Sequence, residues 1–203
     1  MDHARYWETA GATKTFTHPL DAGWLSTVRR TASVLDYGCG YGRLMAPLSD
    51  AGFERILGAD TSAALIERGR RERPDLRFDI IKSPPGIAQP DGSFDLVLLF
   101  AVLTCVPGDD DQRALIAEIH RLLAPGGLLY VSDLLRQPDE RSRRRYDARG
   151  VFTTEDGAVC RHHDIGHLRS LLRDFDLQAE QPVEVRSMNG HPAAAVQLLA
   201  GRG

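Results

Sequence analysis

The chain has 203 residues, of which 42% are hydrophobic and 26% charged, and its formal net charge is −3. This length suits one domain with a core of its own, and the composition excludes a disordered chain and a membrane protein. The charge argues against a nucleic-acid binder, which is usually strongly basic, although a local basic patch would be compatible with it.

The cysteines and the first residues indicate the cellular compartment of the protein. Cys39, Cys105 and Cys160 are odd in number and far apart, so they indicate neither a disulfide framework nor a metal cluster. Met1 is followed by DHARYWE rather than by a basic segment and an apolar run, and no stretch approaches about eighteen apolar residues. We therefore expect a cytoplasmic protein with no metal and no membrane or nucleic-acid partner. The sequence indicates no oligomeric state.

The first thirty residues form a segment of their own. They contain Tyr6, Trp7 and Trp24, and so many aromatic residues are untypical of a disordered tail. A helix is predicted from Pro19 to Arg30, because proline favours the first position of a helix. We expect this segment to fold over the rest of the domain.

Residues 33–44, SVLDYGCGYGRL, lead from a strand through a glycine turn into a helix. Gly38, Gly40 and Gly42 stand at alternate positions shortly after Asp36. Glycines in this pattern let a turn adopt backbone angles closed to other residues, and they let a ligand lie on the main chain. The stretch predicts a ligand site at the carboxyl end of the first strand.

Strands and helices then alternate. FDLVLLF, residues 94–100, is almost entirely apolar, which is typical of a central parallel strand covered on both faces. Asn189-Gly190 predicts a hairpin turn between the last two strands. The other predicted strands are residues 55–60, 76–81, 127–133, 177–187 and 191–200, and the other predicted helices are residues 43–51, 61–73, 109–124 and 165–175.

This order predicts an α/β fold, a doubly wound, mostly parallel seven-stranded sheet with a C-terminal antiparallel strand pair. Residues 134–163 interrupt the alternation with a polar, Arg-rich insertion. A solvated helix is the default interpretation of these arginines, and recognition of an acidic substrate or carrier is the alternative. We predict a single domain, residues 1–203, in which residues 1–30 and the insertion lie over the active site.

The glycine turn does not fit a dinucleotide site. The fingerprint G-x-G-x-x-G needs a third glycine at the position of Arg43. VLDYGCGYGRL instead resembles the first motif of the class I S-adenosylmethionine-dependent methyltransferases, an acid followed by G-x-G-x-G. GADTS, PDGSFDLVLLFAVL and EIHRLLAPGGLLYVSD resemble later motifs of that family, in order and spacing. The resemblance implies a Rossmann-like methyltransferase fold with S-adenosyl-L-methionine as cofactor.

Carried onto this chain, the resemblance implies that the glycine turn packs on the methionine part of the cofactor, with Asp36 near its amino group. Asp60 would accept hydrogen bonds from both ribose hydroxyls, with a helix cap as its alternative role. Tyr6 and Lys14 are candidates for the cofactor carboxylate. The predicted cofactor-binding residues are Tyr6, Lys14, Asp36, Gly38, Cys39, Gly40, Gly42, Asp60, Thr61, Ser83, Phe100 and Ala101.

One position departs from the family pattern. The family often has an acid after the third strand, where it meets the adenine amine, and this chain has Lys82 and Ser83 there. Ser83 or a backbone carbonyl would have to replace that acid.

Methyl transfer depends mainly on positioning and, for some acceptors, on a base. We predict three catalytic candidates: His18 in KTFTHP, His162 in RHHD and Asp133 at the end of the fifth strand. Packing or capping is the alternative role of each. Asp109, Asp110 and Asp111 are interpreted as a helix start rather than a metal site.

We predict methyl transfer to the oxygen, nitrogen or sulfur of a small molecule, a natural product or other secondary metabolite by resemblance alone. One alternative is an enzyme that binds S-adenosylmethionine but catalyses another reaction, such as a cyclisation. A non-catalytic binding module is the second alternative.

Overall fold

The computed structural model describes residues 3–9, 11, 14 and 17–203. The strands are β1 (Ser33–Tyr37), β2 (Arg55–Asp60), β3 (Arg77–Ile80), β4 (Phe94–Phe100), β5 (Leu123–Leu134), β6 (Val151–Thr153), β7 (Val159–Arg161), β8 (Asp176–Arg186) and β9 (Pro192–Gly201). The α-helices are α1 (His3–Glu8), α2 (Ala22–Leu25), α3 (Met45–Asp50), α4 (Ala63–Glu72), α5 (Asp109–Leu122), α6 (Glu140–Arg145) and α7 (Ile165–Leu171).

Seven strands form one sheet in the order β3-β2-β1-β4-β5-β9-β8. The strands β1 to β5 pair in parallel, and β9 runs antiparallel to both of its neighbours. The predicted fold class is confirmed, including the antiparallel pair at the C-terminal end. The strands β6 and β7 form a separate hairpin.

The sheet is covered on both faces, which explains its apolar central strands. On one face α5 packs its apolar side, with Leu115 and Ile119, against β1, β4 and β5. On the other face α3 and α4 bury Leu48 and Ile66. With helices on both sides, each side chain of β1 is buried and nearly all of those of β4 are.

The helix predicted from Pro19 to Arg30 is wrong in length, since only Ala22–Leu25 is helical. The Asp21 side chain accepts from Trp24 N, and the Ser26 hydroxyl donates to the Gly23 carbonyl at 2.7 Å. The Asp21 bond caps the helix so that it begins at Ala22, and the Ser26 hydroxyl competes for a backbone carbonyl at its other end. The predicted hairpin turn is confirmed, because Ser187 N donates to the His191 carbonyl across it.

The helix α1, Lys14 and the β6–β7 hairpin lie together, and we call them the cover. The α1 helix is attached to the start of α4, where the Glu8 carboxylate accepts from Ala63 N at 2.7 Å and Ala64 N at 3.3 Å. A negative charge at a helix start is stabilising because the first amides have no helical partner. Tyr6 and Trp7 of α1 pack in one cluster with apolar side chains of the hairpin.

An ion pair between a buried arginine and a partly exposed acid connects the hairpin to α5. Arg161, which is 4% exposed, places Nη1 2.6 Å from Asp109 Oδ1 at the start of α5. Its Nε donates to the Arg149 carbonyl at 3.1 Å. Asp109 therefore does more than begin a helix, and the sequence gives no local signal for a partner 52 residues away.

Within the described part of the chain, none of the helices has the length and apolar character that a membrane crossing requires. The described residues also contain no cluster of three side chains arranged to hold a metal ion.

Candidate functional site

A cavity of about 600 Å³ opens at the carboxyl ends of β1, β2 and β4, between the sheet and the cover. This volume falls within the roughly 300–1,000 Å³ of small-molecule sites. The glycine turn supplies part of its wall, from Asp36 to Tyr41, and the cover supplies Trp7, Lys14 and Val159. The crevice at the carboxyl ends of parallel strands is where open α/β sheets bind ligands.

The glycine turn is folded back on β2. Gly38 N donates to the Ala59 carbonyl at 2.7 Å, and Gly38 and Gly40 have φ of 73° and 56°. A Cβ on Gly40 would meet only Leu65, at 3.9 Å, so this part of the turn is open to a ligand. Gly42 is different, because a Cβ there would lie 2.8 Å from the Phe78 ring, and Gly42 does not line the cavity. Its lack of a side chain serves packing.

Asp60 stands at the end of β2 on the cavity wall. Its Oδ2 accepts from Gly40 N and its Oδ1 from Ser62 N, both at 2.8 Å. Burial raises the pKa of this carboxyl, while the amides of Ser62 and Gly40 lower it. Each carboxylate oxygen can accept a second hydrogen bond. The side chain is thus fixed in place with acceptor capacity left.

Asp36 lies beneath the same turn and is almost fully buried. Its Oδ2 has no hydrogen-bond partner among the described residues. Burial raises the pKa of Asp36 to about 7, against a lowering effect of the Arg43 guanidinium. Arg43 also lines the cavity, and its Nη1 donates to the His18 carbonyl at 2.8 Å. A carboxylate without a partner beside a guanidinium fits a ligand that carries an ammonium and a carboxylate.

The wall beyond β3 is mostly apolar. Ile81, Pro84 and Pro85 line the cavity, and the Tyr37 hydroxyl donates to the Pro85 carbonyl at 2.9 Å. Ser83 does not line it and instead pairs with Gly86 in an isolated bridge.

Asp111 also lines the cavity, from the first turn of α5. The sequence did not indicate it as a site residue. The helix α5 is bonded to the loop after β3, since Glu118 Oε1 accepts from Ile87 N at 3.0 Å. Apart from its place in an acidic helix start, nothing in the sequence marks Asp111.

The end of β4 carries a strained residue. Ala101 has φ of 56°, a region that residues with a side chain seldom adopt, and its N–H donates to the Ser132 carbonyl at 2.8 Å. Phe100 and Ala101 both line the cavity, as do Cys39 and Thr61. Backbone strain of this kind concentrates at functional sites. The proposed cofactor contacts of these residues stay predictions.

The three catalytic candidates are buried away from the cavity wall. His18 Nδ1 lies 2.8 Å from Ser132 Oγ, and His162 Nδ1 lies 2.7 Å from the Tyr146 hydroxyl. Burial lowers the pKa of each histidine to about 3, so both rings are neutral at physiological pH. Asp133 accepts from Leu134 N at 2.7 Å, and burial raises its pKa to about 7. The structure does not bring these three side chains together, and their catalytic roles stay predictions.

Tyr6 and Lys14 meet at one acid of the cover. The Tyr6 hydroxyl donates to Asp156 Oδ2 at 2.9 Å, and Lys14 Nζ lies 2.6 Å from the same oxygen. Lys14 Nζ also donates to Asn189 Oδ1 at 2.5 Å. Lys14 lines the cavity, whereas Tyr6 is packed behind the wall.

Known proteins are similar to this chain in sequence. A model of the methyltransferase domain matches residues 16–181. The trans-aconitate 2-methyltransferase of Methylobacterium radiotolerans is 31% identical over 157 residues, which are 74% of this chain and 57% of that protein. The ribosomal protein L11 methyltransferase of Burkholderia vietnamiensis is 31% identical over 153 residues, which are 72% of this chain and 49% of that protein. The chain thus spans about half the length of the curated relatives it matches.

A solved structure resembles most of this fold. A protein of Methanosarcina mazei, described as an S-adenosylmethionine-dependent methyltransferase, superposes with a TM-score of 0.84 at 20% identity. The match covers 91% of this chain and 99% of that one. At this identity the likeness concerns the fold alone.

Proposed function

The chain belongs to the methyltransferase domain family, and from that premise we propose that it transfers the methyl group of S-adenosylmethionine to a small molecule. The observation that carries this proposal is Asp60, whose two oxygens are each fixed by a backbone amide at the wall of the cavity, beside the open glycine turn. The description of the Methanosarcina mazei structure names the same cofactor.

The residues present fit this cofactor along the wall. The remaining lone pairs of Asp60 would accept from the two ribose hydroxyls. Asp36 and Arg43 would take the ammonium and the carboxylate of the methionine part, as their charges require. The adenine would lie against Ile81 and the Pro84-Pro85 loop.

Asp111 is our candidate for the adenine amine, in place of the acid that this chain lacks after β3. It lines the cavity on α5, which is bonded to the loop that would hold the ring. A carboxylate accepts from an amine and repels a carbonyl at the same place. The predicted contact of Ser83 is set aside in this proposal, because Ser83 is not on the wall.

The cofactor supplies a methyl group that its sulfonium activates for displacement. The chain's own contribution is to hold the acceptor in line with that carbon and to exclude water, which are positioning effects. The cavity of about 600 Å³ has room for a small acceptor beside a cofactor, rather than for a folded protein. The relatives are named after both kinds of acceptor, trans-aconitate and ribosomal protein L11.

Calorimetric titration tests the proposal. We expect the wild-type chain to bind S-adenosylmethionine and S-adenosylhomocysteine, and Asp60→Ala to weaken the latter about 100-fold through lost charge-assisted hydrogen bonds. Asp79→Ala, an exposed acid on β3, is the matched control and should bind normally. S-adenosylhomocysteine lacking both ribose hydroxyls should bind the wild type weakly, and Asp60→Ala should no longer distinguish the two ligands. Absence of binding by the wild type would contradict the proposal.

A further inference from the structure

Lys14 has two of its three N–H donors engaged by named partners. Asp156 Oδ2 and Asn189 Oδ1 lie 2.6 and 2.5 Å from Nζ. Because an ammonium group carries three donors, the described residues leave one for a ligand of the cavity that Lys14 lines. The contacts join α1, the β6–β7 hairpin and the β8–β9 turn around this cation.

The proposed cofactor site already has a cation for the cofactor's carboxylate. Arg43 lies in the glycine turn close to Asp36, so a charge pair suited to the methionine part stands there already. Lys14 lines the cavity from the cover together with Val159. Cys160 of the same strand as Val159 packs against Cys105 after β4, away from Asp60 at the end of β2. This side is what remains for the acceptor.

The described side chains of the wall offer this acceptor no base. Cys39 and Cys105 keep their protons, because burial raises the pKa of each thiol. Burial likewise raises the pKa of the Tyr37 hydroxyl. Asp36 and Asp60 face the cofactor in the proposed function, and Asp111 stands on α5 beside the adenine loop. The histidines His18, His162 and His163 are buried behind the wall.

An acceptor that needs no base must already carry a free lone pair on its nucleophilic atom, as an ionised carboxylate or a neutral nitrogen does, and of these two only the carboxylate has a charge that attracts Lys14. Among common groups, carboxylates are ionised at neutral pH, whereas thiols with a pKa of about 8.5 and phenols with one of about 10 are mostly protonated. A carboxylate is also the group that an ammonium donor binds best.

We propose that the acceptor is a small carboxylic acid, that Lys14 binds its carboxylate, and that an ionised carboxylate oxygen takes the methyl group. This inference rests on the proposed function. A new O–CH₃ bond forms with a lone pair of the carboxylate oxygen while the S–CH₃ bond of the cofactor breaks, and that electron pair stays on sulfur. The products are a methyl ester and a thioether, and no proton changes place.

A matched acceptor panel tests the proposal. Benzoate, phenol, benzenethiol and aniline present four acceptor groups on one ring, and trans-aconitate adds a polycarboxylate; methylated products are identified by mass spectrometry. We expect base-labile methyl esters from the carboxylates. We expect Lys14→Met to raise KM for the best carboxylate about 10- to 100-fold, and Lys14→Arg to restore most of it. Arg173→Met removes an exposed cation that does not line the cavity and should change nothing.

Two further readouts separate the possible failures. Asp156→Asn keeps the lysine but removes its competing carboxylate, so KM for the acceptor should fall. S-adenosylhomocysteine should bind Lys14→Met as tightly as the wild type, which also shows that this variant folds. If the cofactor product binds but no carboxylate is methylated, or Lys14→Met leaves KM unchanged, the carboxylate proposal is overturned and the proposed function stands. If neither cofactor form binds the wild type, both fall.

Discussion

The strand-end wall of the cavity and the cover are built by different means. The wall is made of backbone and of two carboxylates in the sheet, with Asp60 fixed by the amides of Gly40 and Ser62. The cover depends on side-chain contacts: Lys14 pairs with Asp156 within it, and Arg161 with Asp109 and Glu8 with the first amides of α4 attach it to the rest of the chain. Pairs of side chains can be exchanged without changing a sheet, so one wall can serve one cofactor while the cover varies with the acceptor.

The largest expected effect tests how tightly the wall is packed. Gly38→Ala puts a methyl group 2.5 Å from Val102 Cγ2 at a φ of 73°, so the free energy of unfolding should fall by about 2–5 kcal/mol. Gly126 has the same φ with nothing within 4 Å of its Cβ position, so Gly126→Ala isolates the backbone strain of about 1–2 kcal/mol. Urea denaturation measures both. Equal losses would show that the wall is not tightly packed against Val102.

Asp36 gives the wall a dependence on pH. Its folded pKa of about 7 exceeds the ordinary value of 3.8, so between these values the folded chain binds a proton that the unfolded chain has lost. The stabilisation present below pH 4 is therefore lost as pH rises towards 7. From pH 5 to 8 the wild type should lose about 3 kcal/mol of unfolding free energy relative to Asp36→Asn. Asp133 titrates in both proteins and cancels. If the difference in unfolding free energy between the two proteins stays constant from pH 5 to 8, Asp36 does not have a raised pKa in the folded chain.

Removing either partner of the Arg161–Asp109 pair should cost a different amount of unfolding free energy. Asp109→Ala leaves the Arg161 guanidinium buried without a counter-charge, and we expect a loss of about 2 kcal/mol. Arg161→Met leaves Asp109, whose side chain is 37% exposed, free to be hydrated, and should cost about 1 kcal/mol. Asp110→Ala, at a neighbouring exposed acid, is the control. Equal losses from the two partners would contradict the burial argument.

The smallest effect concerns the Asp156 cluster. Tyr6→Phe removes one hydrogen bond to Asp156, while Lys14 and Thr154 still contact that carboxylate. We expect the unfolding free energy to fall by about 1 kcal/mol. Cofactor affinity should be unchanged, because Tyr6 is behind the wall. Tyr146→Phe, which removes a hydrogen-bonded hydroxyl that is also outside the wall, serves as control. A large loss of cofactor affinity in Tyr6→Phe alone would place Tyr6 in the cofactor site.

The difference between the wall and the cover also determines which features the sequence could predict. The apolar run of β4, the glycine turn and the acid that ends β2 are local patterns, so the sheet and the position of Asp60 on the cavity wall follow from neighbouring residues. The pairs Arg161–Asp109 and Lys14–Asp156 join residues far apart in the chain, and no local pattern indicates them.

The two candidate histidines show what a residue's type alone cannot predict. His18 and His162 are typical catalytic residues in type, but burial depends on the tertiary structure, and it removes both from the wall. The helix predicted from Pro19 to Arg30 is short for a different reason, since the Asp21 side chain caps its start and the Ser26 hydroxyl bonds to the Gly23 carbonyl at its end.

A crystal structure of the chain with S-adenosylhomocysteine tests the central claim most directly. We expect both ribose hydroxyls within hydrogen-bond distance of the Asp60 oxygens, the adenine against Pro84 and Pro85, and the sulfur facing Lys14 and the cover. A ribose away from Asp60, or an adenine on the side of Lys14, would contradict the account.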